Sequence, residues 1–123
     1  EKIALEIDKR AAGEGAVQDI LIEVNISGEE TKHGLDSHQA QTLIHNLQAY
    51  QNIRVIGLMT MAPFTDNEQV IRETFKGLRL LRDRLQLQFP LIKELSMGMT
   101  NDYRIAIEEG ATLLRIGSAI FHG

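Results

Sequence analysis

Two kinds of hydrophobic pattern alternate along this chain. In the first, aliphatic residues follow one another almost without interruption and predict buried strands, at residues 19–25, 53–59, 94–97 and 112–116. In the second, apolar residues recur every three or four positions and predict helices, at residues 1–12, 37–50, 66–87 and 102–109. Strands of this kind that alternate regularly with helices are typical of a parallel sheet covered by helices.

Polar residues mark where the predicted helices begin and which of their faces meet water. Ser37 and Asp66 are the expected N-caps of the second and third helices, and Asn101-Asp102 is expected to cap the fourth. On the third helix, Val70 is expected to point inward together with four larger apolar residues. The arginines of that helix are expected to form a solvated face: Arg79, Arg82 and Arg84.

The fold class that follows is α/β, with about four β/α units, which correspond to half of a (β/α)8 barrel. Half a barrel leaves two sheet edges and one inner face uncovered. We therefore expect either that a missing N-terminal half completes the barrel or that two copies pair. A small open α/β sheet is the structural alternative, because alternation alone does not separate it from a barrel.

The composition limits the size of the core and the kind of partner. With 123 residues, of which 43% are hydrophobic, the chain can bury one modest core rather than two. The net charge is -4, and no cluster of Lys and Arg is long enough to follow a nucleic-acid backbone. Nucleic acids and acidic membrane surfaces are therefore not expected as partners.

Cysteine usage and the chain ends bear on the cellular compartment. The chain has no cysteine, which excludes disulfides and thiolate metal sites and fits a reducing, cytoplasmic compartment. No apolar stretch approaches the roughly 20 residues that a membrane-spanning helix needs. The N-terminus shows no signal-peptide pattern and no initiator methionine, and it opens inside a helical pattern, so we expect part of a longer polypeptide.

The residues at the carboxyl ends of the predicted strands share one chemistry, and this is where parallel α/β folds bind ligands. They are Asn25, Met59, Thr60, Ser96, Met97, Gly98, Met99, Thr100, Arg115, Gly117 and Ser118. Hydroxyls and glycine backbone suit a phosphate dianion, methionines suit a flat ring, and an arginine can bond an acceptor atom. Two strand-to-helix turns, at residues 94–102 and 115–118, therefore predict a cradle for an aromatic ring that carries a phosphate.

Each of these residues also has a purely structural interpretation. Met97 and Met99 beside a tight turn are equally typical of core packing, and Gly117-Ser118 is a common turn dipeptide. Arg115, at the end of an apolar strand, is also suited to an exposed salt bridge. Their joint occurrence at neighbouring strand ends favours phosphate binding.

Other chemistries find little support in the sequence. The four histidines show no ligand spacing, so no metal site is expected. No Gly-x-Ser-x-Gly turn supports serine hydrolase chemistry. A phosphate-binding barrel enzyme of another kind would place a carboxylate at a strand end, and the strand ends named above have none. We therefore assign no catalytic residue.

Four blocks of sequence carry a family resemblance: VNISGEETKHGL at residues 24–35, IGLMTMAP at 56–63, LSMGMTND at 95–102 and IEEGATLLRIGSAIF at 107–121. Together and in this order they resemble the YggS/PROSC family of pyridoxal phosphate homeostasis proteins, and the last block is highly specific. The resemblance implies a single-domain barrel similar to the N-terminal domain of alanine racemase. It also implies binding of pyridoxal 5′-phosphate (PLP) by a carrier or regulator of intracellular vitamin B6 pools, without an established reaction.

The resemblance further implies which residues hold the cofactor. The phosphate would lie against Ser96 and the Gly117-Ser118 turn, with Thr100 and the backbone of residues 97–99 close by. Thr100 and Ser118 stand where the family often has Ser and Thr respectively, and both exchanges keep the hydroxyl.

On the ring side, the resemblance implies that Asn25 and Met59 line the pocket and that Arg115 faces the pyridine nitrogen. An arginine there keeps the nitrogen unprotonated and weakens the ring as an electron sink. The alternative is a PLP-dependent enzyme of the same fold, such as an amino-acid racemase. Racemisation needs acid–base groups on both faces of the ring, and neither Tyr50 nor Tyr103 is convincingly placed for that.

The lysine that forms the Schiff base in this family lies on an early strand, in the N-terminal half of the barrel. The lysines of this chain do not match its context: Lys2, Lys9, Lys32, Lys76 and Lys93. We therefore expect residues 1–123 to be the C-terminal part of one PLP-binding barrel domain, without the Schiff-base side of the site. Such a chain should bind the cofactor weakly if at all, and the sequence does not identify recipient proteins.

Overall fold

The computed structural model describes residues 17–26, 34–116 and 119–122, the last four and residues 115–116 through their backbone only. Their elements, in chain order, are β1 (Gln18–Glu23), α1 (Ser37–Leu47), β2 (Ile53–Met59), α2 (Glu68–Gln86), β3 (Glu94–Ser96), α3 (Tyr103–Glu108), β4 (Leu113–Ile116) and β5 (Ala119–His122). The helix expected at residues 1–12 lies outside the described residues.

The order of the strands separates the two architectures that the sequence left open. The strands lie side by side in chain order, and β1 to β4 run parallel. An open doubly wound sheet reverses its strand order at a switch point, whereas a barrel keeps chain order. Right-handed crossovers in an unreversed order place the helices on one face of the sheet. β1 to β4 therefore form a section of barrel wall, as expected.

One hydrophobic core fills the space between this sheet and its helices. Ile22, Leu58 and Leu95 are partners in the strand register, and each is 6% exposed or less. They pack in one cluster with Phe75 and other inward residues of the helices. Because successive side chains of a strand point to opposite faces, the neighbours of this row point away from the core.

β5 corrects the expectation that residues 115–118 lead from a strand into a helix. Ala119–His122 pairs antiparallel with β4, with Arg115 opposite Ile120. Antiparallel strands can be joined by two residues, whereas a helical crossover needs a dozen or more. The bulky apolar residues of this segment suit a strand, and their pairing covers the edge of β4.

The N-cap of α1 is Asp36 and not Ser37. The Asp36 carboxylate accepts the Gln39 N–H at 2.7 Å, and the Gln39 side chain accepts the Asp36 N–H at 3.1 Å. This reciprocal capping box needs a Glu or Gln three residues after the cap. Asp36 has Gln39 at that spacing, whereas Ser37 has Ala40.

The N-cap of α2 lies one residue later than expected, whereas that of α1 lies one residue earlier. Asn67, rather than Asp66, is the N-cap, and its side-chain oxygen accepts the N–H groups of Gln69 and Val70. Val70 is 37% exposed, whereas Ile71 is only 4% exposed. The inward face of α2 therefore begins at Ile71, and the expected inward position of Val70 is wrong.

The arginines of α2 do not form the simple solvated face that the sequence indicates. Arg79 lies 3.3 Å from a carboxylate oxygen of Glu109, just after α3. Arg82 donates to the Lys93 carbonyl oxygen at 2.7 Å, and only 18% of its side chain is exposed. Only Arg84 is exposed as expected. Two of the three arginines thus tie α2 to neighbouring segments.

Candidate functional site

The last residues of β1, β2 and β3 form a row on the face of the sheet opposite the core. Met59 is the register partner of both Glu23 and Ser96. The preceding row of partners is buried in the core, so side-chain alternation turns this row the other way. Asn25 follows Glu23 by two positions and has the same parity. The structure thus brings together Asn25, Met59 and Ser96 at the carboxyl edge, where parallel sheets bind ligands.

Hydrogen bonds hold these strand ends in register. The Val24 N–H donates to the Met59 carbonyl at 2.8 Å, and the Thr60 N–H donates to the Ser96 carbonyl at 3.1 Å. The Thr60 hydroxyl donates to the Val24 carbonyl at 2.7 Å. Thr60, which the sequence offered as a strand-end hydroxyl, is therefore a link between β1 and β2.

The loop after β3 is held tightly against the core. Gly98 has a φ of 100°, which favours glycine. A Cβ at this position would lie 2.6 Å from the Ala106 Cβ and 3.0 Å from a Leu114 methyl group. The Met97 side chain is 2% exposed and belongs to the core, and its N–H donates to the Leu113 carbonyl at 3.2 Å. The Met97 side chain therefore offers no surface for a ring, and the Met97 N–H is already bound within the sheet.

Two donors at this strand end remain open. Within the described part of the chain, neither the Ser96 hydroxyl nor the Gly98 N–H has a hydrogen-bond acceptor. Ser96 is 3% exposed and lies at the floor of the site, whereas Thr100 is exposed and lies at its rim. A hydroxyl and a bare backbone amide two residues apart at one strand end are donors of the kind that an oxyanion needs, so the residues present fit a phosphate group.

Asp102 occupies the N-cap position of α3 but does not cap that helix with its side chain. Its carboxylate instead accepts the Met99 N–H at 2.7 Å, back towards the loop. Asp102 is only 7% exposed. The expectation that Asn101-Asp102 caps α3 is therefore wrong for the side chain. A short polar residue such as Asp can either cap the helix that follows it or bind the backbone of the preceding loop. The sequence is the same for both roles, so only the backbone geometry distinguishes them.

Glu23 is the other residue that the sequence reasoning missed. It ends β1 and lies in the strand-end row beside Met59, so the statement that no carboxylate stands at a strand end is wrong. The period of two set by Ile20, Ile22 and Val24 would have placed Glu23 on the ligand-facing side. Because the sequence predicts that the strand continues to Asn25, Glu23 does not count as a strand-end residue in that prediction.

Part of the predicted site is not described by the structure. Gly117 and Ser118 lie outside the described residues. The backbone places Arg115 in β4, two residues after Leu113. Leu113 is the register partner of Ser96. The second turn of the predicted cradle thus remains a prediction.

Charged groups lie on the same face of the sheet, nearer its amino edge. Arg54 donates to the carboxylate of Asp19 at 2.7 and 3.0 Å. This hydrogen bond holds the pKa of Asp19 below its usual range and raises that of Arg54. The Glu94 Oε2 atom is fully shielded from water and has no hydrogen-bond partner among the described residues.

A further feature of the described surface lies away from the strand-end row. A cavity of about 720 Å³ opens between α1 and α2, on the helical side of the sheet. No group of three His, Cys, Asp or Glu able to hold a metal occurs among residues 17–26, 34–116 and 119–122. None of the helices in those ranges is long and apolar enough to cross a bilayer.

The chain matches one family model along its whole length. That family is described as alanine racemase, N-terminal domain, and the match covers residues 1–123. A pyridoxal phosphate homeostasis protein of Aquifex aeolicus is 45% identical over 122 residues, which are 98% of this chain and 54% of that protein. Its counterpart in Vibrio cholerae is 36% identical over 121 residues, which are 98% of this chain and 51% of that protein. The chain thus spans about half the length of the curated relatives it matches.

A solved structure agrees with the described fold. PipY of Synechococcus elongatus, with PLP bound, superposes with a TM-score of 0.84 at 28% sequence identity, over 95% of this chain and 55% of that chain. The expected family and fold class are confirmed. The chain belongs to the alanine racemase N-terminal domain family and, within it, to the pyridoxal phosphate homeostasis proteins.

Proposed function

We propose that this protein binds PLP at the carboxyl edge of its sheet and serves as a carrier or regulator of intracellular vitamin B6, without catalysis of its own. The proposal rests on two donors at the carboxyl end of β3 that have no acceptor among the described residues, the Ser96 hydroxyl and the Gly98 N–H. A phosphate group has only acceptors to offer at neutral pH, so it complements both donors. The solved structure of the relative PipY with PLP bound supports this choice of ligand.

The ring of the cofactor belongs beside the strand-end row. Met59, between Glu23 and Ser96 in that row, offers a soft apolar side chain that suits a flat ring. Asn25 adds a polar side chain of the same parity. We therefore assign Asn25 and Met59 to the ring and the loop from Ser96 to Thr100 to the phosphate, with Gly117-Ser118 as its second side.

Arg115 is assigned to the pyridine nitrogen. A guanidinium stays protonated throughout the physiological pH range and can only donate, so the ring nitrogen that faces it stays unprotonated. When bound, PLP supplies an electron sink, and an unprotonated nitrogen makes that sink weaker. This is the physical reason for a carrier rather than a racemase.

The remaining side of the site is assigned to a segment beyond residues 1–123. The relatives are about twice as long as the region they share with this chain, which covers 54% of the Aquifex aeolicus protein. Lys76 is an exposed residue of α2, and Lys93 precedes β3 at the amino edge, away from the strand-end row. We therefore infer that the Schiff-base lysine lies in an N-terminal half of the same barrel domain. We also propose a cytoplasmic location, which the absence of cysteine from this chain fits.

The test is a titration of the protein in its full natural length with PLP, followed by the visible absorbance of the bound cofactor. Ser96→Ala combined with Ser118→Ala should raise Kd about tenfold or more, because each change removes a hydrogen bond to a charged group. Ser37→Ala, at an exposed serine of α1, is the matched control and should leave Kd within about twofold. Equal affinity of the double variant and the unchanged protein would remove the proposed phosphate site.

A second measurement separates the carrier from the enzyme. The same samples are assayed for racemisation of L-alanine in the presence of saturating PLP. We expect no turnover above that of free PLP, because an unprotonated ring nitrogen opposite Arg115 weakens the cofactor as an electron sink. Racemisation that depends on Ser96 would instead favour the alternative, a PLP-dependent enzyme of this fold.

A further inference from the structure

We propose that Asp102 is a positioning residue of the phosphate site, a role that rests on the proposed function. Asp102 is 7% exposed, and its carboxylate accepts the Met99 N–H at 2.7 Å. A hydrogen bond of this length to an ionised acceptor is of the strong, charge-assisted kind. It fixes the backbone of the loop at Met99.

The contact between these two residues is reciprocal. The Asp102 N–H donates to the Met99 carbonyl at 3.1 Å, while the Asp102 carbonyl accepts the Ala106 N–H at 3.2 Å. The side chain makes no capping bond to α3. A buried carboxylate that turns away from an adjacent helix start serves the loop and not the helix.

The consequence concerns the residue between two fixed amides. The Met97 N–H is held by the Leu113 carbonyl and the Met99 N–H by Asp102, whereas the Gly98 N–H between them is open within the described residues. Peptide units are planar, so holding both neighbouring amides restricts the rotation of the peptide unit that carries the Gly98 N–H. Asp102 thereby satisfies one donor of the loop and orients the next towards a phosphate.

A second effect of Asp102 is selectivity among the donors of the loop. With its N–H bound to a carboxylate, Met99 cannot donate this group to a ligand, whereas the Gly98 N–H has no acceptor among the described residues. A preorganised donor binds an anion more tightly than a mobile one, because its ordering is complete before the ligand arrives.

The experiment compares Asp102→Ala with Asp102→Asn in the protein of full natural length. Alanine removes the acceptor, whereas the asparagine side-chain oxygen can still accept the Met99 N–H without charge. We expect Asp102→Ala to raise Kd for PLP about tenfold and Asp102→Asn to stay within about threefold. Asp66→Ala, at an exposed aspartate, is the matched control and should leave Kd unchanged.

A second readout does not depend on PLP. Amide hydrogen exchange at Met99, measured without cofactor, should be faster in Asp102→Ala and remain slow in Asp102→Asn. If Asp102→Ala does not fold, the asparagine variant alone decides, because it must keep both the slow exchange and the affinity.

The possible results distinguish this role from the proposed function. Slow Met99 exchange in Asp102→Ala, or an affinity in the asparagine variant as poor as in the alanine variant, overturns the positioning role. Failure of the unchanged protein to bind PLP overturns the proposed function, and inorganic phosphate then shows whether the loop still binds an anion. Rescue by asparagine of both readouts supports the positioning role.

Discussion

The Thr60 hydroxyl donates to the Val24 carbonyl oxygen at 2.7 Å, across the carboxyl ends of β1 and β2. Thr60 is 3% exposed and Val24 is 1% exposed, so water does not replace this bond when it is lost. The same residue donates its N–H to Ser96 on the other side. Thr60 thus joins three strand ends that the candidate site needs in fixed positions.

We predict that Thr60→Val lowers the free energy of unfolding by about 1–2 kcal/mol, because an isosteric side chain leaves the buried Val24 carbonyl without its donor. Thr60→Ser keeps the hydroxyl and should cost clearly less. Urea denaturation of the two variants measures the difference. Equal losses in both variants would show that the Thr60 methyl group, and not the hydroxyl, is what matters.

The N-cap of α1 gives a prediction with its own control next to it. Asp36→Ala should destabilise the protein by about 1 kcal/mol, because it removes the acceptor for the Gln39 N–H and breaks the capping box. Ser37→Ala should change stability by no more than about 0.5 kcal/mol, since Ser37 is exposed and is not the cap. Thermal unfolding of both variants would contradict this assignment if Ser37 proved the costlier position.

Comparison of β2 with the helix caps shows which features of the fold can be predicted from the sequence. The observed bounds of β2 are those that the sequence predicts, because a run of seven residues rich in β-branched side chains is short for a helix and favours a strand. Asp36 and Ser37 are both good caps, and the choice depends on which one has a partner three residues later. Asp102 is of a residue type that commonly caps helices, but its side chain binds the Met99 N–H of the preceding loop instead. That choice depends on the backbone conformation around Gly98. Strands and helices with a sustained apolar pattern can therefore be predicted from the sequence. Which of two adjacent polar residues caps a helix depends instead on tertiary geometry.

Gly98 should tolerate no side chain. Gly98→Ala is expected to cost at least about 2 kcal/mol, from the left-handed φ together with overpacking against Ala106 and Leu114. Gly110→Ala is the matched control, since Gly110 has a similar φ of 99° but its Cβ would find its nearest neighbour at 3.5 Å, on Arg79. Gly110→Ala should therefore show only the backbone part of the cost. Chemical denaturation in which the two variants lose equal stability would rule out the packing part.

The carboxylate of Glu109 lies between two arginines of α2. It accepts from Arg72 at 2.8 Å and lies 3.3 Å from Arg79, and only 11% of its side chain is exposed. We predict that Glu109→Gln destabilises the protein by roughly 1–3 kcal/mol, the cost of leaving buried polar groups short of partners. Glu108 also meets Arg72 at 2.8 Å, but 61% of its side chain is exposed.

Glu108→Gln is therefore the control for this cluster, and its effect should be small because exposed ion pairs contribute little. Denaturation in low and high salt adds a second check. The loss caused by Glu109→Gln should persist in high salt, since buried pairs are screened much less than exposed ones. A loss that disappears with salt would place Glu109 among the exposed pairs.

The Asp19–Arg54 pair predicts a pH dependence of stability. The hydrogen bond from Arg54 lowers the pKa of Asp19 in the folded protein, so the unfolded chain binds the Asp19 proton more readily. The contribution of the pair is therefore complete above the unfolded pKa of about 3.9 and is lost as pH falls through the lower, folded value. Because half of the Arg54 side chain and 39% of that of Asp19 are exposed, the contribution is small and decreases with salt. Asp19→Asn should thus be less stable than the unchanged protein at neutral pH and equal to it in strong acid, and an NMR titration of the Asp19 carboxyl should show a midpoint below the usual range. A midpoint at or above that range would mean that the pair does not form in solution.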